Sequence, residues 1–354
     1  LQNQKVNGSL KLVAIGGGTG LSTLLSGLKR FVGESGDGPW LDSLSAIVTV
    51  SDDGGSSGRL RDELQILPPG DIRNCMIALS EDSTLLSRLF RYRFRGSGDL
   101  AGHSFGNLFL AALADVTGDF VEAVRLSSEV LASKGHIYPA TINDVRLVAE
   151  LEDGRVVHGE TQITAARSPI RRLRLEPEHC LPLPQTMAAI QAADVITVGP
   201  GSLYTSIIPN LIVDWVADAI GRSNATKFFI ANLMTQPGET DGYDLRRHLE
   251  AVKKYAPSID FDYVLLNNRP ISSIQAEIYR ADAAYQVGLD EMEFDALNPQ
   301  TEIVRTDLLD EGEMVRHDSE RLARVVIACA DRARSRPLAG LESEFTTPHD
   351  KISE

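Results

Sequence analysis

LVAIGGGTG, Leu12 to Gly20, sets an unbroken apolar run directly before a turn in which four of five residues are glycine. A run with no polar interruption is what a strand buried on both faces requires. The glycines then turn the chain sharply into a helix expected from about Gly20 to Phe31. Gly16, Gly17, Gly18, Thr19 and Gly20 are therefore candidates for holding a phosphate. Their backbone approaches a ligand without a β-carbon in the way, and the helix start adds unpaired N–H donors. Thr19 and Ser22 add hydroxyls. No Gly-Lys-Ser/Thr follows, so this is not a P-loop, and Leu21 stands where a dinucleotide fingerprint has its third glycine. The same glycines also suit a strand-to-helix turn that binds nothing.

Working outward, the pattern recurs. AIVTVSDD (Ala46–Asp53), VITVGPG (Val195–Gly201), KFFIANL (Lys227–Leu233) and YVLLNN (Tyr263–Asn268) are apolar runs that end in small or polar residues. They alternate with helical stretches, the signature of an α/β fold with a parallel sheet and crossover helices. Ligands in such sheets bind outside the carboxyl ends of the strands, so five strand ends are five candidate walls of one site. A helical insertion, about residues 71–133, and a β-hairpin insertion, about 142–176 and turning at Asp153-Gly154, separate the second run from the third. The hairpin is expected to stand beside the main sheet as an antiparallel appendage. A last helix is expected from about Ser319 to Arg334, with Leu322, Val325, Val326 and Cys329 at helical spacing. One domain over residues 11–334 follows, between flexible tails at 1–10 and 335–354.

The chain of 354 residues carries a formal charge of −14. Affinity for nucleic acid comes largely from neutralising phosphates, so this field argues against a nucleic-acid partner while leaving room for a local phosphate site. No apolar run reaches the ~18 residues that span a bilayer, and the start lacks the apolar core of a secretory signal, so integral membrane association is not expected. Three cysteines, Cys75, Cys180 and Cys329, lie far apart without metal-ligand spacing and read as reduced thiols of a cytoplasmic protein. Closed homo-oligomers are common, which makes a homodimer the default expectation.

Three further segments carry chemistry. In SDDGGSSGRLRDELQILPPGDIRN (Ser51–Asn74), Asp52 and Asp53 close the second strand, where a Rossmann-like fold contacts ribose hydroxyls. Either aspartate also suits Mg²⁺ beside a diphosphate, Asp52 being the better candidate, or an Asx turn. Arg59, Arg61 and Arg73 are candidate phosphate partners. In GPGSLYTSIIPN (Gly199–Asn210), Gly199, Gly201 and Ser202 form a second anion-receiving turn; no Gly-x-Ser-x-Gly elbow makes Ser202 a hydrolase nucleophile. In NLMTQPGETDGY (Asn232–Tyr243), Asn232 and Thr235 are placed to read a base or sugar edge, and Thr240 and Asp241 to cap. RLFRYRFR (Arg88–Arg95) mixes basic and aromatic residues and reads as a packed helix-to-loop segment, RSPIRRLR (Arg167–Arg174) as a solvated strand face, and His103 as a cap or core contact. His158 and His317 lack metal-site spacing.

Taken together, GGGTGLSTLLSGLK, VTVSDDGGSSGRLRDELQILPPGDIRNC, YRFRGSGDLAGHSFGN, GPGSLYTSIIPN, NLMTQPGET and VRHD occur in the order shown by the YvcK-type gluconeogenesis factors. That family belongs to the wider fold of the 2-phospho-L-lactate transferases (CofD), and the likeness runs from about Lys11 to Arg334. The resemblance implies a Rossmann-like three-layer parallel sheet that binds a nucleotide sugar of the UDP-N-acetylglucosamine kind. It also implies a role in cell shape and wall synthesis on gluconeogenic carbon sources, with cell-wall or shape machinery as partners and no assigned reaction. Carried onto this chain, its ligand site adds Tyr279, as a base-stacking ring, and Arg316, as a diphosphate partner. The transferase branch implies phospholactate transfer from a nucleotide-linked donor with Mg²⁺. Its more acidic continuation after the paired aspartates is replaced here by GGSSGRLRDELQILPPGD. A nicotinamide-dependent dehydrogenase is the third reading, weakened by the missing glycine and the lack of a clear acid pair.

Overall fold

The computed structural model describes residues 9–33, 40–81, 85–288 and 300–335. In chain order, β1 (Leu10–Gly16), α1 (Gly18–Leu28) and β2 (Leu41–Val48) are followed by helices α2 (Gly55–Leu64), α3 (Gly70–Leu79), α4 (Leu85–Arg91), α5 (Phe105–Thr117) and α6 (Phe120–Val130). Next come β3 (His136–Pro139), β4 (Arg146–Leu151), β5 (Val156–His158), α7 (Glu160–Ala165), β6 (Ile170–Glu176), α8 (Pro184–Ala192) and β7 (Val195–Val198). A π turn, Leu203–Ile207, leads into α9 (Ile208–Leu211) and α10 (Val216–Arg222), and then β8 (Thr226–Ile230), α11 (Leu245–Tyr255), β9 (Tyr263–Asn267) and α12 (Ser273–Ala281). The chain closes with β10 (Glu302–Thr306), β11 (Leu309–Glu311), β12 (Val315–His317) and α13 (Ser319–Ser335).

Among the described residues, seven strands form one sheet in the order β10-β9-β8-β7-β1-β2-β3, every pairing parallel. Side chains alternate between two buried cores, which is why the apolar runs are unbroken. Val13, Ile15, Ile47, Ile196, Val198, Phe229 and Val264 face one core, while Leu12, Ala14, Ala46, Val48, Phe228, Ile230 and Leu265 face the other. The first core is covered by residues of α8–α11 such as Ile190, Ile208, Ile220 and Val252, the second by residues of α1, α3 and α13 such as Leu24, Met76 and Val326. The fold is thus a three-layer α/β sandwich, as expected.

The five expected strands lie side by side as β9-β8-β7-β1-β2. The sheet extends one strand further at each edge, to β3 and β10, which the apolar-run criterion misses. β10 is covered only in part and carries Glu302 and Arg305, so no continuous apolar run marks it. The expected hairpin, β4–β5, is joined by β6 into a three-stranded antiparallel sheet in the order β5-β4-β6. Along β6, Arg171 and Arg172 are exposed while Ile170, Leu173 and Leu175 are buried, so one face is solvated as read. Leu10 already belongs to β1; residues 1–8 and 336–354, the bulk of the expected tails, lie outside the described residues. Among the described residues no single helix is long and apolar enough to cross a membrane.

This topology fixes where a ligand can go. From β1 the chain builds outward to β2 and β3, then returns to β7 on the other side of β1 and builds outward again. The connections diverge at the carboxyl ends of β1 and β7, the switch point where open α/β sheets form a crevice.

Candidate functional site

At that switch point lies a cleft of about 590 Å³, within the size range of small-ligand sites. Its floor is two glycine turns in backbone contact. The first is the start of α1. Gly17 is extended, and Gly18 is left-handed at φ +60°. A β-carbon on Gly17 would meet Asp71 Oδ2 at 2.7 Å and the Thr49 methyl at 2.8 Å, so the turn needs glycine there. The Gly18 N–H donates to Asp71 Oδ2 at 2.7 Å, while the N–H groups of Thr19 and Gly20 have no partner among the described residues. The second turn follows β7, with Gly199 at φ +85° and Gly201 at φ +157°. The Gly201 N–H donates to Asn232 Oδ1 at 3.1 Å, and Gln236 Nε2 donates to Ser202 Oγ at 2.7 Å, which ties this turn to the end of β8.

Gly17, Gly18, Thr19, Gly20, Gly201, Ser202, Asn232, Tyr279 and Arg316 all line the cleft. Gly16 and Gly199 stand behind it. The Gly16 carbonyl accepts from Thr49 N and Asn210 Nδ2, and a β-carbon on Gly199 would press on the Ile230 carbonyl at 2.9 Å. Tyr279 on α12 accepts the Val315 N–H on its hydroxyl at 3.0 Å, which joins the ring to the hairpin β11–β12. Arg316, on β12, is exposed and its side chain has no partner among the described residues. Its neighbour His317 is buried, bonded to the Ala231 backbone, and pushed by burial to a pKa of about 4, so it is neutral at ordinary pH.

The two aspartates after β2 part company. Asp52 lines an adjoining recess of about 450 Å³ with Glu160, and its Oδ1 accepts the Gly54 N–H at 2.8 Å as an Asx turn. Asp53 turns away: its Oδ1 accepts Thr161 N at 2.9 Å and Thr161 Oγ1 at 2.8 Å, capping α7 and docking the appended sheet. The cleft and the recess share Thr164, Arg167 and Pro237 and are therefore continuous. Four strand ends, those of β1, β2, β7 and β8, wall this combined space. The end of β9 does not, because Asn267 Oδ1 is engaged by Arg269 N and Leu308 N.

The three arginines of the second segment are also spoken for. Arg61 is buried in an ion pair with Asp144, Arg73 donates to Ser104, Asn107 and Asn74, and Arg59 donates to the Ala101 carbonyl. His103 faces Ser56 at 3.0 Å, a core contact. Thr240 and Asp241 do not cap a helix as expected: they accept Gln236 N and Gly238 N within the turn after β8, and Asp244 caps α11 by accepting Arg247 N.

Several residues of the site carry no sequence signal of their own. Asp71 sits on the N–H of Gly18; burial and then the nearby Asp52 charge raise its carboxyl to about 6. Glu239 plays the same part at the second turn, accepting from Thr205 Oγ1 at 3.2 Å and from the Tyr204 and Thr205 backbone, with burial raising it to about 7. In the recess, burial and then Asp52 push Glu160 to about 9, which leaves it a neutral hydrogen-bond donor at pH 7. Each helix start thus holds a carboxylate close by and still has further donors to offer an anion.

The chain matches the family described as 2-phospho-L-lactate transferase CofD over residues 12–309. It is 43% identical over 318 residues to the gluconeogenesis factor of Bacillus subtilis, which covers 90% of this chain and 97% of that one. It is likewise 43% identical over 324 residues to the gluconeogenesis factor of Halalkalibacterium halodurans, covering 92% and 98%. A crystal structure of a Bacillus halodurans protein superposes with a TM-score of 0.84 at 42% identity, covering 90% of this chain and all of that one.

Proposed function

We propose, for a chain that belongs to the CofD family and groups there with the gluconeogenesis factors, that the cleft binds a nucleotide sugar of the UDP-N-acetylglucosamine kind and that the protein acts as a regulator. The observation that carries the reading is the convergence of two glycine turns, with the open N–H groups of Thr19 and Gly20, on a cleft that Arg316 and Tyr279 also line. Backbone donors at helix starts favour phosphate, the Arg316 guanidinium, without a partner among the described residues, adds a charged fork, and a half-buried ring offers a face to a base. In this reading Gly16 to Gly20, Gly199, Gly201 and Ser202 shape and line the diphosphate seat. Asn232 reads a ligand edge, and Asp52 takes hydroxyls. Asp53 serves by holding the appended sheet against the site. The cellular role is in cell shape and wall synthesis on gluconeogenic carbon sources, through the wall-building machinery of the cytoplasmic side.

Calorimetric titration with UDP-N-acetylglucosamine, UDP-glucose, GDP and NAD, with and without Mg²⁺, tests the reading. UDP-sugar binding with the ligand recovered intact supports it; GDP binding that needs Mg²⁺, with no UDP-sugar binding, overturns it.

One observation favours a second reading, phosphoryl-linked transfer. Asp52 and Asp71 are near enough to couple, and Mg²⁺ characteristically takes one or two carboxylates together with substrate phosphates. Among the described residues no three acidic, histidine or cysteine groups are placed to hold a metal unaided, so phosphate oxygens would have to complete its shell. Mg²⁺-dependent consumption of a nucleotide-linked donor, lost in Asp52→Asn, is the result that would establish this reading.

A further inference from the structure

Arg167 sits in the turn between α7 and β6 at φ +44°, the left-handed region that residues with a β-carbon avoid. The turn is pressed onto the loop after β8. A β-carbon on Gly238 would lie 2.6 Å from the Thr164 carbonyl and 3.4 Å from Arg167 Cα. Glycine would satisfy this backbone better than arginine does, so what the arginine adds is its side chain. That side chain is exposed and has no hydrogen bond or ion pair among the described residues. It lines both the cleft and the recess, and so stands where the two meet. The other protein groups at this junction are the hydroxyl of Thr164 and the ring of Pro237, neither of which neutralises a guanidinium.

The order of groups along the combined space gives the ligand a direction. Tyr279, Arg316 and the glycine turns belong to the cleft alone, Asp52 and Glu160 to the recess alone, and Arg167 to both. We infer that Arg167 binds the phosphate furthest from the nucleoside and that the sugar attached to it points into the recess of Asp52 and Glu160. This rests on the sugar-nucleotide reading above. A planar fork of donors suits a phosphate with two free oxygens, and strain at a ligand-facing residue persists where surrounding packing holds it.

Titration of the full chain with UMP, UDP and UDP-N-acetylglucosamine, comparing wild type with Arg167→Gln and Arg167→Gly, tests the inference. Loss of one charge-assisted contact predicts about a tenfold or greater drop in affinity for UDP and the UDP-sugar, with UMP unchanged. Arg167→Gly should show the same drop while its thermal midpoint rises, because relief of the strained φ separates a binding role from a folding one. Wild-type affinity of Arg167→Gln for the UDP-sugar overturns the inference and leaves the sugar-nucleotide reading standing. An equal drop for UMP overturns the assignment to the distal phosphate. Failure of the wild type to bind any of the three overturns the sugar-nucleotide reading itself, and this inference with it.

Discussion

Gly20 and Pro200 meet backbone to backbone: a β-carbon on the glycine would lie 2.5 Å from the proline carbonyl oxygen and 2.9 Å from Gly201 N. The atoms in the way are main chain, which cannot swing aside as a side chain can, so the start of α1 and the turn after β7 would be forced apart. Gly20→Ala should cost about 1–3 kcal/mol of stability by overpacking and weaken sugar-nucleotide binding at least about tenfold. Denaturant unfolding and titration on the same sample check both. Unchanged affinity in the folded variant would show that the contact serves folding alone.

The contact also explains what could be read in the sequence. Glycine is written into the chain wherever backbone must approach backbone, so both turns were legible. So were β1, β2, β7, β8 and β9, because burial on both faces forces unbroken apolar runs. β3 and β10 carry no such run because they are edge strands with partial cover, and a residue such as Arg305 costs little there. The adjacent Asp52 and Asp53 looked equivalent and are not, because adjacent side chains of an extended segment diverge and only tertiary packing decides what each one meets. Asp71, Glu160 and Glu239 carry no sequence signal for the same reason: their character comes from burial and from neighbours distant in sequence. Tyr279 and Arg316 rested on family resemblance, and the shared cleft is the first physical reason to consider them together.

The divergence of the two aspartates is testable. Asp53 accepts two hydrogen bonds from Thr161 at the start of α7, and a β-carbon on Gly159 would sit 1.9 Å from its Oδ2. Asp53→Ala removes a helix cap and should lower stability by about 1–2 kcal/mol, with faster amide exchange concentrated in α7 and β5. Asp52→Ala loses a single part-buried turn contact, against two for Asp53, and should cost less stability while weakening sugar-nucleotide binding. The reverse pattern, with Asp53 the greater determinant of affinity at full stability, would exchange their roles.

Glu160 sets a pH dependence of defined sign. Its carboxyl is raised from the ordinary 4.5 to about 9 by burial first, then by the charges of Asp52, Asp71, Glu239 and Asp53. Below about 4.5 it is protonated whether the chain is folded or not. Between there and about 9 the folded protein keeps a proton that the unfolded chain has released, so stability falls as pH rises through this window, by up to about 1.4 kcal/mol per pH unit for one group. Asp71, raised to about 6, and Glu239, raised to about 7, act in the same direction over the lower part of the window. Glu160→Gln should flatten the decline above neutrality, as measured by denaturant midpoints at about pH 5, 7 and 9. A variant that declines as steeply as the wild type would mean Glu160 is ionised in the folded protein.

Tyr279 has two ways to serve the cleft, and one substitution separates them. Its ring lines the cleft, where a base can stack on it, while its hydroxyl accepts the Val315 N–H next to Arg316 and so steadies β12. Tyr279→Phe keeps the ring and frees that N–H, a loss of about 1 kcal/mol in stability. Tyr279→Ala removes both ring and tie. Base–aromatic stacking is worth about 1–3 kcal/mol, so the alanine variant should lose about tenfold or more in UDP-sugar affinity, while the phenylalanine variant stays within about threefold of wild type. If phenylalanine binds as poorly as alanine, the hydroxyl is what matters, and Tyr279 acts by positioning Arg316. Repeating the titration in Arg316→Gln then decides the matter: a positioning role predicts that Tyr279→Phe has no further effect once the guanidinium is gone, whereas a stacking ring predicts that Tyr279→Ala still does.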